Sequence, residues 1–189
     1  MRWGENMPDV VKAVNNVIQS LVDDEPKPPL HVGEVMSCWS YLSELADEQV
    51  HSEAGVNSTT DPELRKAFHE IVEMFKSQKE RMITFMLSEG VPIPSLSESK
   101  PQSNPSDIPL GVKLTDDELA NSLNIKIVVL ISFCATAIIQ SNRNDVTLIW
   151  LEYLQEYMTF GATMKELVKR RGWLKVPPYY YAPGTPLKS

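Results

Sequence analysis

Apolar residues recur three and four positions apart in five stretches of this chain, the spacing of helix faces. The first, residues 9–22, carries Val10, Val11, Val14, Val17, Ile18 and Leu21 and ends at the extended EPKPPL. The second starts near Gly33 and runs to about Ala54, with a stripe of Val32, Val35, Met36, Trp39, Leu42 and Leu45. The third opens on Asp61 as N-cap with Pro62 in the first turn. It carries Leu64, Phe68, Ile71, Phe75, Met82 and Met86, and Gly90 is its natural C-cap. The fourth begins at the capping box Thr115-Asp-Asp-Glu118 and runs to about Gln140. Its centre is apolar on nearly every side, which predicts the most buried element. A break at Ser141–Asn144 leads into the fifth, capped by Asp145, with Val146, Ile149, Trp150, Tyr153, Tyr157, Phe160, Met164 and Leu167 along one face and Gly172 as C-cap. Lys165, Lys169, Arg170 and Arg171 near its end complement the helix dipole.

Between the third and fourth helices lies GVPIPSLSESKPQSNPSDIPLGVKL, residues 90–114. Its five prolines forbid regular helix and keep the backbone extended. A connection this long inside a compact domain signals a function, a linker or an overhand crossing. In an all-helical chain it implies that the helices on either side run parallel, as in ferritin-like folds with a single crossover. The expected architecture is therefore all-α: one domain over 1–189, with a four-helix bundle at 31–174. A short N-terminal helix and linker (1–30) precede it, and a Pro/Tyr-rich tail (175–189) follows. Trp173 and Leu174 are expected to clip the tail to the bundle.

Composition narrows the function classes. Residues 1–95 carry 8 Lys+Arg against 16 Asp+Glu, and residues 96–189 carry 10 against 9. No broad basic face results, so nucleic acid is not an expected partner. Cys38 and Cys134 fall in apolar helical stretches and read as buried free thiols of a reducing compartment. No charged start precedes an apolar run at the N-terminus, so no signal peptide is expected. The most apolar run, Ile127–Ile139, is shorter than the ~20 residues of a bilayer span.

A ferritin-like bundle raises the question of metal. Di-metal bundles take Glu from two helices and Glu-x-x-His from the other two. Here one such pair exists, Glu48 and His51. The fourth and fifth helices contain no His, and the fourth has acids only at its cap. Glu34, Glu48 and His51 are the sole candidates worth tracking, and Glu34 and Glu48 lie ~21 Å apart along one helix. His31 with Glu34 could cap the helix start or bind an adventitious ion, and His69 with Glu70 and Glu73 could form a weak surface site with a partner, but a capping or solvated role explains each histidine better. Phosphate-binding and nucleophile motifs are absent from the chain. Met36, Met82, Met86 and Met164 could line a pocket, but plain core filling explains them better. No catalytic residue and no cofactor is expected.

Five segments carry a resemblance. They are HVGEVMSCWSYL (31–42), GVPIP at the start of the crossover, DIPLGVKLTDDELA (107–120), QSNRNDV (140–146) and GWLKVPP (172–178). In order and spacing they resemble the domain-of-unknown-function family number 3231 of endospore-forming bacteria. Its members carry the label of spore coat proteins because they resemble spore coat protein F. The resemblance covers residues 30–178 and implies a ferritin-like bundle with no established activity. The matching Glu34, Trp39, Arg143, Asp145 and Gly172 read as structural, with Arg143 expected to pair toward the crossover. The resemblance implies a spore coat or sporulation-associated structural protein, in the coat or the mother-cell cytoplasm. Self-association or protein partners would use the crossover and the tyrosine tail. The rival is a degenerate ferritin-like metal-binding or redox protein.

Overall fold

Three of the four helices begin where a side chain accepts the first free backbone N–H groups. The computed structural model describes residues 27–182 and Asn16. Within it, α1 spans Val32–Ser58, α2 Pro62–Ser88, α3 Asp116–Gln140 and α4 Asn144–Arg170, with one 3-10 turn at Pro105–Asp107. Asp61 caps α2 through Glu63 N and Leu64 N, and Thr115 with Glu118 forms a capping box on α3. His31 and Glu34 form the capping box of α1. α2 and α4 are each followed by a glycine at positive φ, Gly90 at 71° and Gly172 at 73°, a conformation in which a side chain would be strained. Asp145 does not cap α4 as the sequence suggests. The N-cap position is Arg143, which makes no side-chain cap bond, because Asp145 is engaged by the Arg143 guanidinium instead.

Hydrogen bonds at the helix ends fix the topology. His31 and Glu34 at the start of α1 meet Gln140, Asn142 and Arg143, and Thr59 at its end meets Asp116, so α1 and α3 are antiparallel. Glu89 after α2 meets Arg143, and Asp61 before α2 meets Arg171, so α2 and α4 are antiparallel too. With two helical hairpins, α1–α2 and α3–α4, the middle helices α2 and α3 run parallel. The proline-rich segment must then travel the length of the bundle. It does so along α1: Ser97 donates to Asp47, Gln49 to Ser99, Lys100 N to Glu53, and Asn57 to the Pro101 carbonyl. Val91 and Pro94 bury themselves at its start. The expected N-terminal helix falls outside the described residues, save for Asn16, which is helical.

The core runs through all four helices, from Leu42, Leu45 and Leu64 through Phe75, Met82 and Leu123 to Leu130, Trp150 and Tyr157. Trp173 and Leu174 pack against it, and Asn121 donates to the Trp173 carbonyl, which clips the tail as expected. Two sequence expectations need correction. In the first half of α1 the buried positions are Glu34, Cys38, Tyr41 and Leu42, whereas Val32, Met36 and Trp39 are exposed. Met36 therefore lies apart from the buried Met82, Met86 and Met164. α3 is not enclosed either. A helix at the corner of a four-helix bundle turns only part of its circumference inward. Ile125, Val128, Val129 and Ile139 remain exposed, while Leu119, Ala120, Leu123, Ile127, Leu130, Cys134 and Ala137 are buried.

Candidate functional site: a polar bundle centre and two end clasps

Midway along the bundle, the apolar layers are interrupted by one polar layer. Gln78 follows Phe75 by three residues and precedes Met82 by four, so α2 projects it inward. Its carbonyl oxygen accepts from Tyr41 Oη at 2.8 Å and Tyr157 Oη at 2.5 Å, and the two phenols lie 2.8 Å apart. Its amide nitrogen donates to Glu156 at 2.6 Å. Arg81 grips Glu156 and Glu152 and sits 4.8 Å above the Tyr153 ring. Tyr153 Oη donates to the Gln78 backbone carbonyl. The network leads outward from buried phenols to a half-exposed ion pair, so every buried member has a partner. Burial, the largest influence, raises both the Tyr41 and Tyr157 phenols well above their usual range. It also pushes the Cys38 and Cys134 thiols up to about 12. None of these groups is a nucleophile at neutral pH.

At one end of the bundle Glu34 is buried within α1. One carboxylate oxygen accepts the backbone N–H groups of Asn142 at 2.8 Å and Arg143 at 2.9 Å, and the other accepts from His31 N at 3.0 Å. The His31 ring accepts from Gly33 N at Nδ1, so its Nε2 carries the proton donated to the Gln140 carbonyl. Beside it, the buried Arg143 holds Glu89 and Asp145, each with two bonds, and Lys27 pairs with Asp145. The Arg143 partner is the residue before Gly90, at the end of α2, rather than the crossover itself. Its guanidinium holds the Asp145 and Glu89 carboxyls below their usual range. At the opposite end Arg171 pairs with Asp61 and Glu63, and Arg170 with Glu63.

Glu48 lies on a third site. Lys126 of α3 pairs with its Oε1, His51 Nδ1 stands 3.9 Å from the same oxygen, and Oε2 is buried without a partner among the described residues. The three residues tracked as metal candidates are therefore split. Glu34 serves the α3–α4 turn, while Glu48 and His51 share one flank of α1 with a lysine. Among the described residues no group of three or more His, Cys, Asp or Glu gathers to hold an ion. The metal that a ferritin-like bundle suggests does not fit this centre. Two phenols and an amide occupy it, and of the two buried acids of α1 the Lys126 ammonium pairs with Glu48 while backbone N–H groups hold Glu34.

Sequence reasoning passed over Tyr41 and Gln78. Gln78 carried a usable signal, a polar residue in register with Ile71, Phe75 and Met82. Tyr41 carried none, because a tyrosine beside Leu42 reads as ordinary packing.

Comparison with known proteins agrees with this architecture. A crystal structure described as a "putative spore coat protein" from Bacillus halodurans C-125 superimposes with a TM-score of 0.80 at 29% identity, covering 82% of this chain and 98% of that one. A two-domain protein from Anabaena variabilis, containing DJ-1/ThiJ/PfpI-like and ferritin-like domains, supports the fold alone. Its TM-score is 0.52 at 15% identity, over 97% of this chain and 43% of that one. "Uncharacterized protein YvdQ" of Bacillus subtilis strain 168 is 27% identical over 152 residues, 80% of this chain and 89% of the relative. The family model "Protein of unknown function (DUF3231)" matches residues 20–185, and the chain belongs to that family.

Proposed function

We propose that this protein is a non-catalytic structural component of the spore or its coat, and that it assembles by pairing with copies of itself through the outer face of α3. The observation that carries this reading is the apolar ridge on that face. Ile125 is 64% exposed, Val128 58%, Val129 55% and Ile139 85%. Ser132, Ala135 and Thr136 fill the intervening positions. The three-and-four spacing of Ile125, Val128, Ser132, Ala135 and Ile139 is that of a helix-pairing seam ~21 Å long. The one charged residue within it, Lys126, turns inward to Glu48. Such contiguous apolar surface on a soluble domain marks an interaction site.

A second copy suits this ridge better than a bilayer. α3 has the length and hydropathy to cross a membrane, yet seven of its residues are committed to the bundle core. Membrane-surface helices flank their apolar face with Lys and Arg, which this face lacks, on a chain of net charge −7. An antiparallel pair about Ser132 would set Ile125 against Ile139 of the second copy. The exposed Tyr179, Tyr180 and Tyr181 offer a further contact for higher assembly. The similarity to a "putative spore coat protein" supports the location.

Light scattering after size exclusion, across the micromolar range, tests the pairing. The wild type is expected as a dimer and Val128→Lys/Ile139→Lys as a folded monomer. A wild type that stays monomeric throughout overturns it. Immunoblots of purified spores test the location, and absence from spores overturns that part.

A further inference from the structure

We infer that the cleft between the α1–α2 turn and the crossover binds a small ligand through an oxyanion, a phosphate group being the best fit. Four of the five described arginines are neutralised: Arg81 by Glu152 and Glu156, Arg143 by Glu89 and Asp145, Arg170 by Glu63, and Arg171 by Asp61 and Glu63. Among the described residues Arg65 alone has no carboxylate, although the chain carries 25 acidic residues against 18 basic ones. Its Nη2 donates to the Thr59 carbonyl at 2.6 Å, which fixes the guanidinium, and its Nε is buried with no acceptor among the described residues. A half-buried guanidinium without a counter-charge is costly unless something else supplies one.

The place where it sits supplies room. Arg65 lines a cleft of about 920 Å³ that also takes in His69, Lys113, Asn57, Gln102 and Asn104. His69 follows Arg65 by four residues, so both side chains rise from one face of α2. Lys113, at the far end of the crossover, has among the described residues only the Pro105 carbonyl as a partner, at 2.7 Å. Asp107 is the sole carboxylate in the lining. Two fixed cations, a histidine and several amides facing one acid favour a dianion over a monocarboxylate, and the fork of arginine matches phosphate oxygens. The volume is in the range of small-molecule sites, so the anion would be one end of a larger ligand.

This site is separate from the α3 ridge, and its test is independent of assembly. Inorganic phosphate is titrated into the full chain by calorimetry at constant ionic strength, with acetate and chloride as controls. Heteronuclear NMR maps the amides that respond. Phosphate is expected to bind saturably and to shift the amides around Arg65, His69, Asn104 and Lys113. Arg65→Gln and, separately, Lys113→Gln should each weaken binding about tenfold, the loss expected for one charge-assisted contact. Circular dichroism checks that both variants fold, and Arg170→Gln, at a neutralised arginine, should leave binding unchanged. The proposal fails if phosphate acts no differently from chloride. It fails equally if acetate binds as well as phosphate, or if both cleft variants bind phosphate as tightly as the wild type.

Discussion

Arg143 carries more of the bundle end than any other single side chain. Its five N–H donors are shared between Glu89, Asp145 and the Pro28 carbonyl, joining the end of α2 to the start of α4. Removing it leaves two carboxylates facing each other beside a buried vacancy. Because both acids remain about a quarter exposed, Arg143→Gln is expected to cost about 2–3 kcal/mol in urea unfolding, less than a fully buried pair. The pH dependence has a definite sign. Asp145 and Glu89 are held below their usual range by the Arg143 hydrogen bonds. Their contribution is therefore complete above about pH 5 and is lost as pH falls through the folded values. Arg143→Gln should flatten that acid limb, which stability measured from pH 7 down to pH 3 checks. A second residue-scale expectation concerns Cys38 and Cys134. Buried and pushed up to about 12, neither should react with a thiol reagent at pH 8 until the chain unfolds, and two thiols should then appear together. The Glu34 clasp was half legible in the sequence. An acid three residues after His31 predicts the cap, but its bonds to Asn142 and Arg143 depend on a turn more than a hundred residues away.

Among the elements, α1 was the hardest to read. Its apolar residues form two faces, and Val32, Met36 and Trp39 outline one as plausibly as Cys38, Leu42 and Leu45 outline the other. Tertiary context decides: the crossover lies along one flank of α1, α3 along the other, and the buried set includes the polar Glu34, Glu48, Gln49 and Ser52. Periodicity counts only apolar residues, so it could not see a face partly built from satisfied polar groups. The caps, by contrast, are local chemistry and were legible at Asp61, Thr115, Gly90 and Gly172. The α1–α2 hairpin closes on Gly55, where an added Cβ would lie 2.4 Å from the buried Phe68 ring. Gly55→Ala should therefore cost about 1–3 kcal/mol through overpacking. Gly111, in the crossover, has nothing within 4 Å of the corresponding point and no positive φ. Gly111→Ala should be neutral or stabilise by up to about 1 kcal/mol. Parallel denaturant titrations of the two variants compare them directly.

At the scale of the molecule, the overhand path of the chain was legible because prolines forbid helix over a span too long for a hairpin. What holds the centre was not, because the layer of Tyr41, Gln78 and Tyr157 exists only once three helices meet. That layer makes a test that no end clasp can mimic. Gln78→Glu replaces the amide that donates to Glu156 with a carboxylate at the same 2.6 Å. The new carboxyl is itself buried and faces the Glu156 charge, and both effects raise its folded pKa above its unfolded value of ~4.3. A group raised in this way contributes its stability below the unfolded pKa and loses it as pH rises toward the folded one. The variant should thus be near wild-type stability at about pH 4 and weaken by about 3 kcal/mol or more by pH 8, opposite in slope to the acid limb set by Asp145 and Glu89. Gln78→Met, which removes the acceptor for both phenols without adding charge, should cost about 1–3 kcal/mol with no added pH dependence. Equal pH profiles for the two variants would mean that Glu156 turns away to Arg81 and solvent, and that the central layer is held by its phenols alone.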